Sequence, residues 1–290
     1  MEKINSEKIT VPCIIEKKKK GEKIVCLTAY DYPTAKLLDE SEIDIILVGD
    51  SVGNVILGYS STIPVSMEEM LHHTKAVARG IKNSLLIADM PYPSFHIKIE
   101  DSVKNATRFI KAGAEGVKIE GGKKRVPVIK AMLDAEIPVM GHLGLTPQSI
   151  HKFGGYKVQG KEFDDAKILV EDALILEEAG VFSIVLESIP LELAEIITKK
   201  LKIPTIGIGA GPYCDGQILV FHDLVGLSPG YLPKFVRKYL NLQELISKAI
   251  RDYSEDVKNG KFPGDSESYH LKEEIKEKLM KINLWKHTKR

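Results

Sequence analysis

Cysteine and long apolar stretches are what this 290-residue sequence has least of. Its three cysteines, Cys13, Cys26 and Cys214, are scattered, and none belongs to a Cys-x-x-Cys pair. This spacing argues against a disulfide framework and against a structural zinc site. No stretch approaches the roughly 18 apolar residues of a membrane-spanning helix, and no apolar segment follows Met1–Asn5 as it would in a signal peptide. We therefore expect reduced thiols and a cytoplasmic protein.

An excess of charge of one sign is also missing. The chain carries 41 basic and 40 acidic side chains, which give a formal net charge of +1. This balance argues against nucleic acid or an anionic membrane as the main partner, because both attract strongly basic surfaces. The only strong charge block, Lys17–Lys20, is interpreted as a solvated helix end.

Short, continuous apolar runs recur along the chain, each bounded by glycine, proline or a polar group. The eight runs are Ile24–Leu27, Ile43–Val48, Leu85–Ala88, Gly116–Ile119, Ile137–Met140, Phe182–Leu186, Pro204–Ile208 and Leu224–Leu227. Runs without polar alternation are typical of parallel strands that are covered on both faces. With helical patterns between them, they predict an α/β fold closed into a (β/α)8 barrel. The alternative, an open doubly wound sheet, would want a glycine-rich loop after its first strand, whereas Thr28–Asp31 contains no glycine.

The segments between the runs carry helix signals. Ser66-x-x-Glu69 is a capping box that predicts a helix over Met67–Arg79. We predict one barrel over residues 1–265, with an N-terminal helix, and a C-terminal helical extension over residues 266–290. The extension has apolar residues at helical spacing, namely Leu271, Ile275, Leu279 and Ile282. The polar connection Thr146–Lys161 follows the fifth run and is interpreted either as a mobile lid or as an ordinary surface loop.

Acidic side chains stand where four of the predicted strands end. They are Asp50, Asp89, Glu120 and Glu187, after the second, third, fourth and sixth runs. In a (β/α)8 barrel these ends share one rim, where such enzymes carry their chemistry. Crowded carboxylates repel one another unless a cation compensates, and oxygen ligands alone favour Mg2+, with Mn2+ or Co2+ as substitutes. Taken singly, Asp50 and Asp89 could be helix N-caps, but glutamate is a poor N-cap, and the convergence favours a metal site.

Two basic side chains are expected at the same rim. Lys118 precedes Glu120 by two residues, so both side chains face the barrel interior from the same side of their strand. A buried lysine needs an anionic partner, which the acids or a carboxylated substrate would supply. His142 follows the fifth run and is interpreted either as a hydrogen-bond donor to a substrate or as a structural rim histidine.

Several motifs, in their order along the chain, resemble those of the ketopantoate hydroxymethyltransferase (3-methyl-2-oxobutanoate hydroxymethyltransferase) family. They are Val48–Asn54 with Leu57–Tyr59, Ala88–Pro91, Val117–Gly122, Met140–Gln148, Val185–Glu187, and Ile206–Gly211 with Cys214–Gln217. The resemblance runs from about Lys8 to Tyr269. It implies a (β/α)8 TIM barrel of the phosphoenolpyruvate-binding type and large cytoplasmic homo-oligomers, commonly decamers.

The resemblance also implies the reaction and the residues that perform it. A hydroxymethyl group would pass from 5,10-methylenetetrahydrofolate to 3-methyl-2-oxobutanoate, giving ketopantoate for pantothenate and coenzyme A biosynthesis. Mg2+ would be held by Asp50, Asp89 and Glu120. The keto acid would be bound by Asp50, Ser51, Asp89 and Lys118, with His142 as a further candidate, and Glu187 would accept the proton.

The chemistry of these residue types agrees, and two alternatives stay open. Mg2+ would stabilise the enolate that forms when C3 of a chelated 2-oxo acid loses a proton, and Glu187 is a suitable base for that proton. A lyase related to isocitrate lyase and phosphoenolpyruvate mutase would use a similar barrel. Its lyase branch would be expected to carry a cysteine after two lysines, whereas Lys123-Lys124 is followed by Arg125. A non-catalytic metabolite-binding barrel would bind ligand without turnover.

Overall fold

The computed structural model describes residues 7–228, 230 and 232–282. Eight parallel strands form a closed barrel in which each pairs with the next along the chain and the last pairs with the first. The strands are β1 (Ile24–Thr28), β2 (Ile45–Val48), β3 (Leu85–Asp89), β4 (Gly116–Glu120), β5 (Val139–Gly144), β6 (Ser183–Glu187), β7 (Thr205–Ile208) and β8 (Gly216–Leu219). The predicted (β/α)8 barrel is confirmed, and closure excludes the open doubly wound sheet.

Helices surround the barrel. They are α1 (Val11–Lys20), α2 (Tyr32–Glu40), α3 (Val52–Val55), α4 (Met67–Ala78), α5 (Ile99–Lys111), α6 (Val126–Asp134), α7 (Ile150–Phe153), α8 (Phe163–Ala179), α9 (Leu191–Lys200), α10 (Phe221–Leu224), α11 (Leu242–Lys258) and α12 (Glu273–Met280). The capping box predicted for α4 is present, because Ser66 and Glu69 each accept the other's backbone N–H. In the described part of the chain, no helix is both long and apolar enough to cross a membrane.

Two apolar layers explain why the strands are apolar without alternation. The layer inside the barrel includes Ile24, Cys26, Ile45, Leu47, Leu85, Ile87, Met140, Val185 and Ile206. Ile14 of α1 belongs to the same cluster and is fully buried. The second layer lies between the strands and the surrounding helices, so each strand buries side chains on both faces.

The eighth strand was placed wrongly from the sequence. It lies at Gly216–Leu219, not at Leu224–Leu227, where α10 ends and Gly226 takes a φ of +68°. The true strand was missed because Gly216 and Gln217 interrupt its apolar pattern. Gly216 is needed there, since an added Cβ would lie 2.5 Å from the backbone oxygen of Ile24 on the neighbouring β1.

The fifth strand is longer than its apolar run and changes the place of one site residue. It continues through Gly141 and Gly144, so that His142 lies inside β5 rather than after it. Asp89, Glu120 and Glu187 are likewise the last residues of their strands, and only Asp50 of the four acids lies beyond one. Membership of the strands fixes the direction of these side chains more firmly than a loop position would.

The chain divides into two compact units, residues 1–240 and residues 241–290. The first contains the barrel. The second contains α11, a 3-10 turn at Asp265–Glu267 and α12, so the division comes earlier than the predicted extension at 266–290. Within that extension the described helix is limited to α12. The apolar residues noted at helical spacing in the extension are exposed, namely Leu271, Ile275, Leu279 and Ile282. Residues 283–290 of the predicted extension lie outside the described residues.

Candidate active site

The predicted site residues meet at one end of the barrel. Asp50, Asp89, Glu120 and Glu187 come from the carboxyl ends of β2, β3, β4 and β6, and β5 carries His142 between the last two. Asp89 is in register with Lys118, and Glu120 is in register with His142. All of these side chains are buried except that of Glu187, which is 16% exposed. Neighbouring parallel strands therefore bring together the acids that the sequence separates by up to 137 residues (from Asp50 to Glu187).

Lys118 is the positive centre of the cluster. Its Nζ lies 3.2 Å from Oδ1 of Asp89 and 3.0 Å from Nδ1 of His142. Burial alone would lower the pKa of this ammonium, but the charges of Asp89, Glu120 and Asp50 outweigh burial and raise it. These charges favour the protonated form of Lys118, and the expectation that it finds an anionic partner is confirmed.

Two of the carboxyls have raised pKa values. Burial is the main cause for Asp50, and repulsion from Asp89 and Glu120 adds to it. Burial also raises the pKa of Asp89, although Lys118 offsets part of the effect. The backbone N–H of Asp50 donates to Oδ2 of Asp89 over 3.1 Å, which places the two carboxyls side by side. Such crowding is costly unless a cation compensates it.

His142 joins the base candidate to the rest of the cluster. Its Nδ1 lies 3.5 Å from Oε1 of Glu120, and its Nε2 lies 3.2 Å from Oε2 of Glu187. Burial and the charge of Lys118 oppose protonation of the ring, but the contacts with Glu120 and Glu187 outweigh them and raise the pKa of His142. One imidazole therefore lies between Glu187 and Glu120.

Ser51 lies beside Asp50 and is held by a residue that the sequence did not single out. The hydroxyls of Ser51 and Tyr30 are 2.8 Å apart. Tyr30 follows β1 and is 1% exposed, and burial raises the pKa of its hydroxyl, so the phenol stays protonated. In the sequence, Tyr30 is visible only as a tyrosine that follows an apolar run. The same pattern is typical of an ordinary core residue, so it did not indicate a site residue.

A second unpredicted residue, Gln148, lies among the acids. Its side-chain Nε2 donates to Oδ2 of Asp50 over 2.9 Å, and its backbone N–H donates to Oε2 of Glu120 over 3.0 Å. It belongs to the segment Thr146–Lys161, which contains a 3-10 turn at Pro147–Ser149 followed by α7. The start of that segment is therefore part of the site, whereas its role as a lid stays a prediction.

The donor chemistry of the cluster fits a hard divalent cation. Asp50, Asp89 and Glu120 offer oxygen ligands, the kind that Mg2+ prefers, and Oδ1 of Asp89 is buried without accepting a hydrogen bond. Within residues 7–228, 230 and 232–282, no three His, Cys, Asp or Glu side chains already surround one point as metal ligands. The Gln148 amide and the Lys118 ammonium contact two of the acids, so the cluster needs local side-chain rotation to hold a cation.

Comparisons with known proteins agree with the fold and specify the relatives. A family model described as ketopantoate hydroxymethyltransferase matches residues 8–265. Proteins named 3-methyl-2-oxobutanoate hydroxymethyltransferase from Syntrophomonas wolfei and Koribacter versatilis are each 54% identical to this chain. The first match covers 94% of this chain and 99% of the relative, and the second covers 98% and 96%.

Similar solved structures include a phosphonopyruvate hydrolase complexed with oxalate and Mg2+. It is 15% identical with a TM-score of 0.58, and the match covers 93% of this chain and 96% of that chain. A 2,3-dimethylmalate lyase of the phosphoenolpyruvate mutase/isocitrate lyase superfamily is 15% identical with a TM-score of 0.57, over 93% and 94%. At this identity the likeness concerns the fold alone, and it confirms the predicted type of barrel.

Proposed function

The chain belongs to the ketopantoate hydroxymethyltransferase family, and we infer from this membership that it adds a hydroxymethyl group to 3-methyl-2-oxobutanoate, giving ketopantoate. We assign the active site to this rim because it carries a buried cluster of acids and one lysine, namely Asp50, Asp89, Glu120 and Lys118. Glu187 lies next to this cluster, on the other side of His142. A keto acid needs a cationic group for its carboxylate and a base near C3, and this cluster supplies both.

Asp50, Asp89 and Glu120 are the residues that would hold Mg2+, for which Mn2+ or Co2+ could substitute. When bound, the ion supplies Lewis-acid stabilisation of the negative charge that develops on the oxygen of a 2-oxo acid. Three carboxylates face one ammonium here, so a divalent charge would bring the buried cluster close to neutrality. Lys118 would offset the carboxylate of the substrate, which Ser51 would help to orient.

Glu187 is the residue that would accept the proton of C3. Its side chain is the only one of the four acids with appreciable exposure, so it faces the open mouth of the barrel where substrate enters. Nε2 of His142 lies 3.2 Å from Oε2 of Glu187. The carbon that has lost its proton would then attack the methylene carbon of 5,10-methylenetetrahydrofolate and form the new carbon–carbon bond. Water, admitted after this step, would supply the hydroxyl oxygen as the bond from that carbon to the folate nitrogen breaks, so that tetrahydrofolate leaves and ketopantoate remains.

The segment Thr146–Lys161 would exclude water during this step, because a deprotonated carbon is otherwise reprotonated by solvent. Its two ends are anchored at the rim: Gln148 bonds to Glu120, and the backbone N–H of Gln159 donates to the backbone oxygen of Ser188. The exposed residues between these anchors, such as Tyr156, are the part available for movement over the mouth.

Exchange of the C3 proton tests this function. In D2O with Mg2+ and 3-methyl-2-oxobutanoate, we expect the unaltered protein to replace C3 hydrogen by deuterium without folate, as followed by proton NMR. Glu187→Gln should slow this exchange by at least about 100-fold, the usual contribution of a positioned base. Binding of Mn2+ and of the keto acid should persist in the variant.

Glu192→Gln is the matched control, since Glu192 is an exposed glutamate at the start of α9. It should exchange at the unaltered rate. Exchange by Glu187→Gln at that same rate would remove Glu187 from the role of base, and no exchange by the unaltered protein would remove the mechanism itself.

The alternatives from the sequence gain no support. The expected cysteine of the lyase branch has no counterpart, because Lys123–Arg125 forms a 3-10 turn that leads directly into α6 at Val126. The lyases among the solved structures share the fold at 15% identity, whereas the named transferases share 54% of residues. A purely metabolite-binding barrel would show no exchange in the experiment above.

We also propose that the protein works in the cytoplasm as a homo-oligomer, a decamer. Apolar side chains that are 39–61% exposed on α11 support association, namely Leu245, Ile246, Ile250, Tyr253 and Val257. Contiguous exposed apolar residues are typical of association surfaces. Light scattering coupled to size-exclusion chromatography measures the assembly directly.

A further inference from the structure

Gln148 makes hydrogen bonds to two acids of the site, although the proposed reaction gives it no chemical role. The residue is 7% exposed. Its Nε2 donates both to Oδ2 of Asp50 and to the backbone oxygen of Met90, over 2.9 Å each. Its backbone N–H donates to Oε2 of Glu120 over 3.0 Å. Gln148 therefore contacts the carboxyl ends of β2, β3 and β4. Its partners there are two of the proposed metal ligands and the residue that follows the third.

The orientation of the Gln148 amide follows from its partners. A carboxylate and a backbone carbonyl can both only accept, so the NH2 group must face them. The amide oxygen then points the other way, where it is buried and has no hydrogen-bond partner. A buried amide oxygen left without a donor is costly, which shows that the two donated bonds determine how the side chain is placed.

Each of the three carboxylates proposed to hold the metal has one oxygen engaged by a neutral donor. Gln148 engages Oδ2 of Asp50 and Oε2 of Glu120, and the backbone N–H of Asp50 engages Oδ2 of Asp89. A neutral donor orients a carboxylate without competing for its charge, unlike Lys118. Of the second oxygens, Oδ1 of Asp89 lies 3.2 Å from Nζ of Lys118, and Oε1 of Glu120 lies 3.5 Å from Nδ1 of His142.

We propose that Gln148 is a positioning residue for the metal site, because its amide holds one oxygen of Asp50 and its backbone N–H holds one oxygen of Glu120. The proposal rests on the proposed assignment of Asp50, Asp89 and Glu120 as metal ligands. Hydrogen-bonding partners of metal-binding side chains commonly change metal affinity by about 10–100-fold when they are removed. The side chain of Gln148 engages one such ligand, Asp50, so its removal should fall within that range.

Gln148→Met is the variant that isolates the side-chain amide. Methionine has a similar length and keeps the backbone N–H that holds Glu120, but it donates nothing to Asp50 or Met90. Gln159→Met is the matched control, because Gln159 lies in the same segment and its amide bonds only to the backbone oxygen of Lys157 at the surface. The same replacement is thus made inside and outside the acid cluster.

The measurement is a Mn2+ titration of the full-length protein followed by electron paramagnetic resonance. We expect the dissociation constant for Mn2+ to rise about tenfold or more in Gln148→Met and to stay within twofold in Gln159→Met. Excess metal should restore kcat in Gln148→Met, a rescue that a merely structural defect would not show. An unchanged Mn2+ dissociation constant in a folded Gln148→Met protein would overturn the proposal.

Gln148→Asn keeps the test decisive if the methionine variant does not fold. Asparagine is shorter by one methylene, so its amide cannot span the two 2.9 Å bonds to Asp50 and Met90. It should also weaken Mn2+ binding, and an unchanged constant would again overturn the role of Gln148. If the unaltered protein binds no Mn2+, the assignment of the metal ligands fails instead, which separates the two conclusions.

Discussion

Gly144 closes β5 next to the residue proposed as the base, and its replacement by alanine gives a sharp prediction. Gly144 is in register with Glu187 and has a φ of +91°, a conformation that L residues rarely adopt. An added Cβ would lie 2.2 Å from the backbone oxygen of Glu187 and 2.8 Å from Cγ2 of Ile189. Both neighbours belong to the barrel or the turn that follows it, so neither can move aside freely.

Two costs follow from this geometry. The left-handed backbone conformation costs an L residue about 1–2 kcal/mol, and overpacking a rigid site costs about 1–3 kcal/mol. We therefore expect Gly144→Ala to lower the free energy of unfolding by about 2–5 kcal/mol. Relieving the contact also displaces the backbone of Glu187 by about 1 Å, and misplacement on that scale can lower turnover by about 100-fold.

Chemical unfolding followed by circular dichroism measures the first effect, and steady-state kinetics measures the second. Gly21→Ala is the control, because Gly21 also has a positive φ, +71°, but an added Cβ meets no atom within 4 Å. Gly21→Ala should lose only the stability that the left-handed conformation costs, about 1–2 kcal/mol, and should keep its kcat. Equal losses of stability in the two variants would refute the argument that contact with Glu187 decides the cost at Gly144.

Two further predictions concern stability away from the site. The carboxylate of Asp39 accepts the backbone N–H groups of residues 82–84, and although burial opposes ionisation, these bonds hold its pKa below the usual value. Asp39→Asn should therefore cost about 2 kcal/mol at pH 7, measured by urea unfolding. The pKa of Asp39 is lower in the folded than in the unfolded protein. The difference in the free energy of unfolding between the unaltered protein and Asp39→Asn is therefore complete above about pH 4, and it should vanish as the pH falls through the pKa of the folded state. Ser66→Ala removes the side-chain acceptor for the N–H of Glu69 and should lower the thermal unfolding midpoint, in line with a loss of about 1 kcal/mol.

The sequence predicted the barrel because closure depends on a repeated pattern rather than on any single residue. Seven of the eight apolar runs overlap strands, and the helix of Leu191–Lys200 follows directly after Pro190. The exception is instructive. β8 contains Gly216 because the backbone of β1 approaches too closely for a side chain, and a contact between residues 24 and 216 is not visible in local composition.

Prediction of the site was limited by the same distinction between local pattern and distant contact. Asp50, Asp89, Glu120 and Glu187 were found because parallel strands place their carboxyl ends on one rim whatever the loops do. Gln148 and Tyr30 were not found, because each acts through a hydrogen bond to a residue distant in the sequence, Asp50 and Ser51 respectively. A glutamine in a polar loop and a tyrosine after a strand have many ordinary explanations in a sequence.

The division of the acids into a metal set and a separate base also changes with the structure. Asp89, Lys118, His142 and Glu187 form one chain of contacts of 3.2, 3.0 and 3.2 Å across four adjacent strands. The imidazole of His142 therefore lies between Lys118 and Glu187. The resemblance implies a metal set and a separate base, and the strand order places His142 of β5 between Glu120 of β4 and Glu187 of β6.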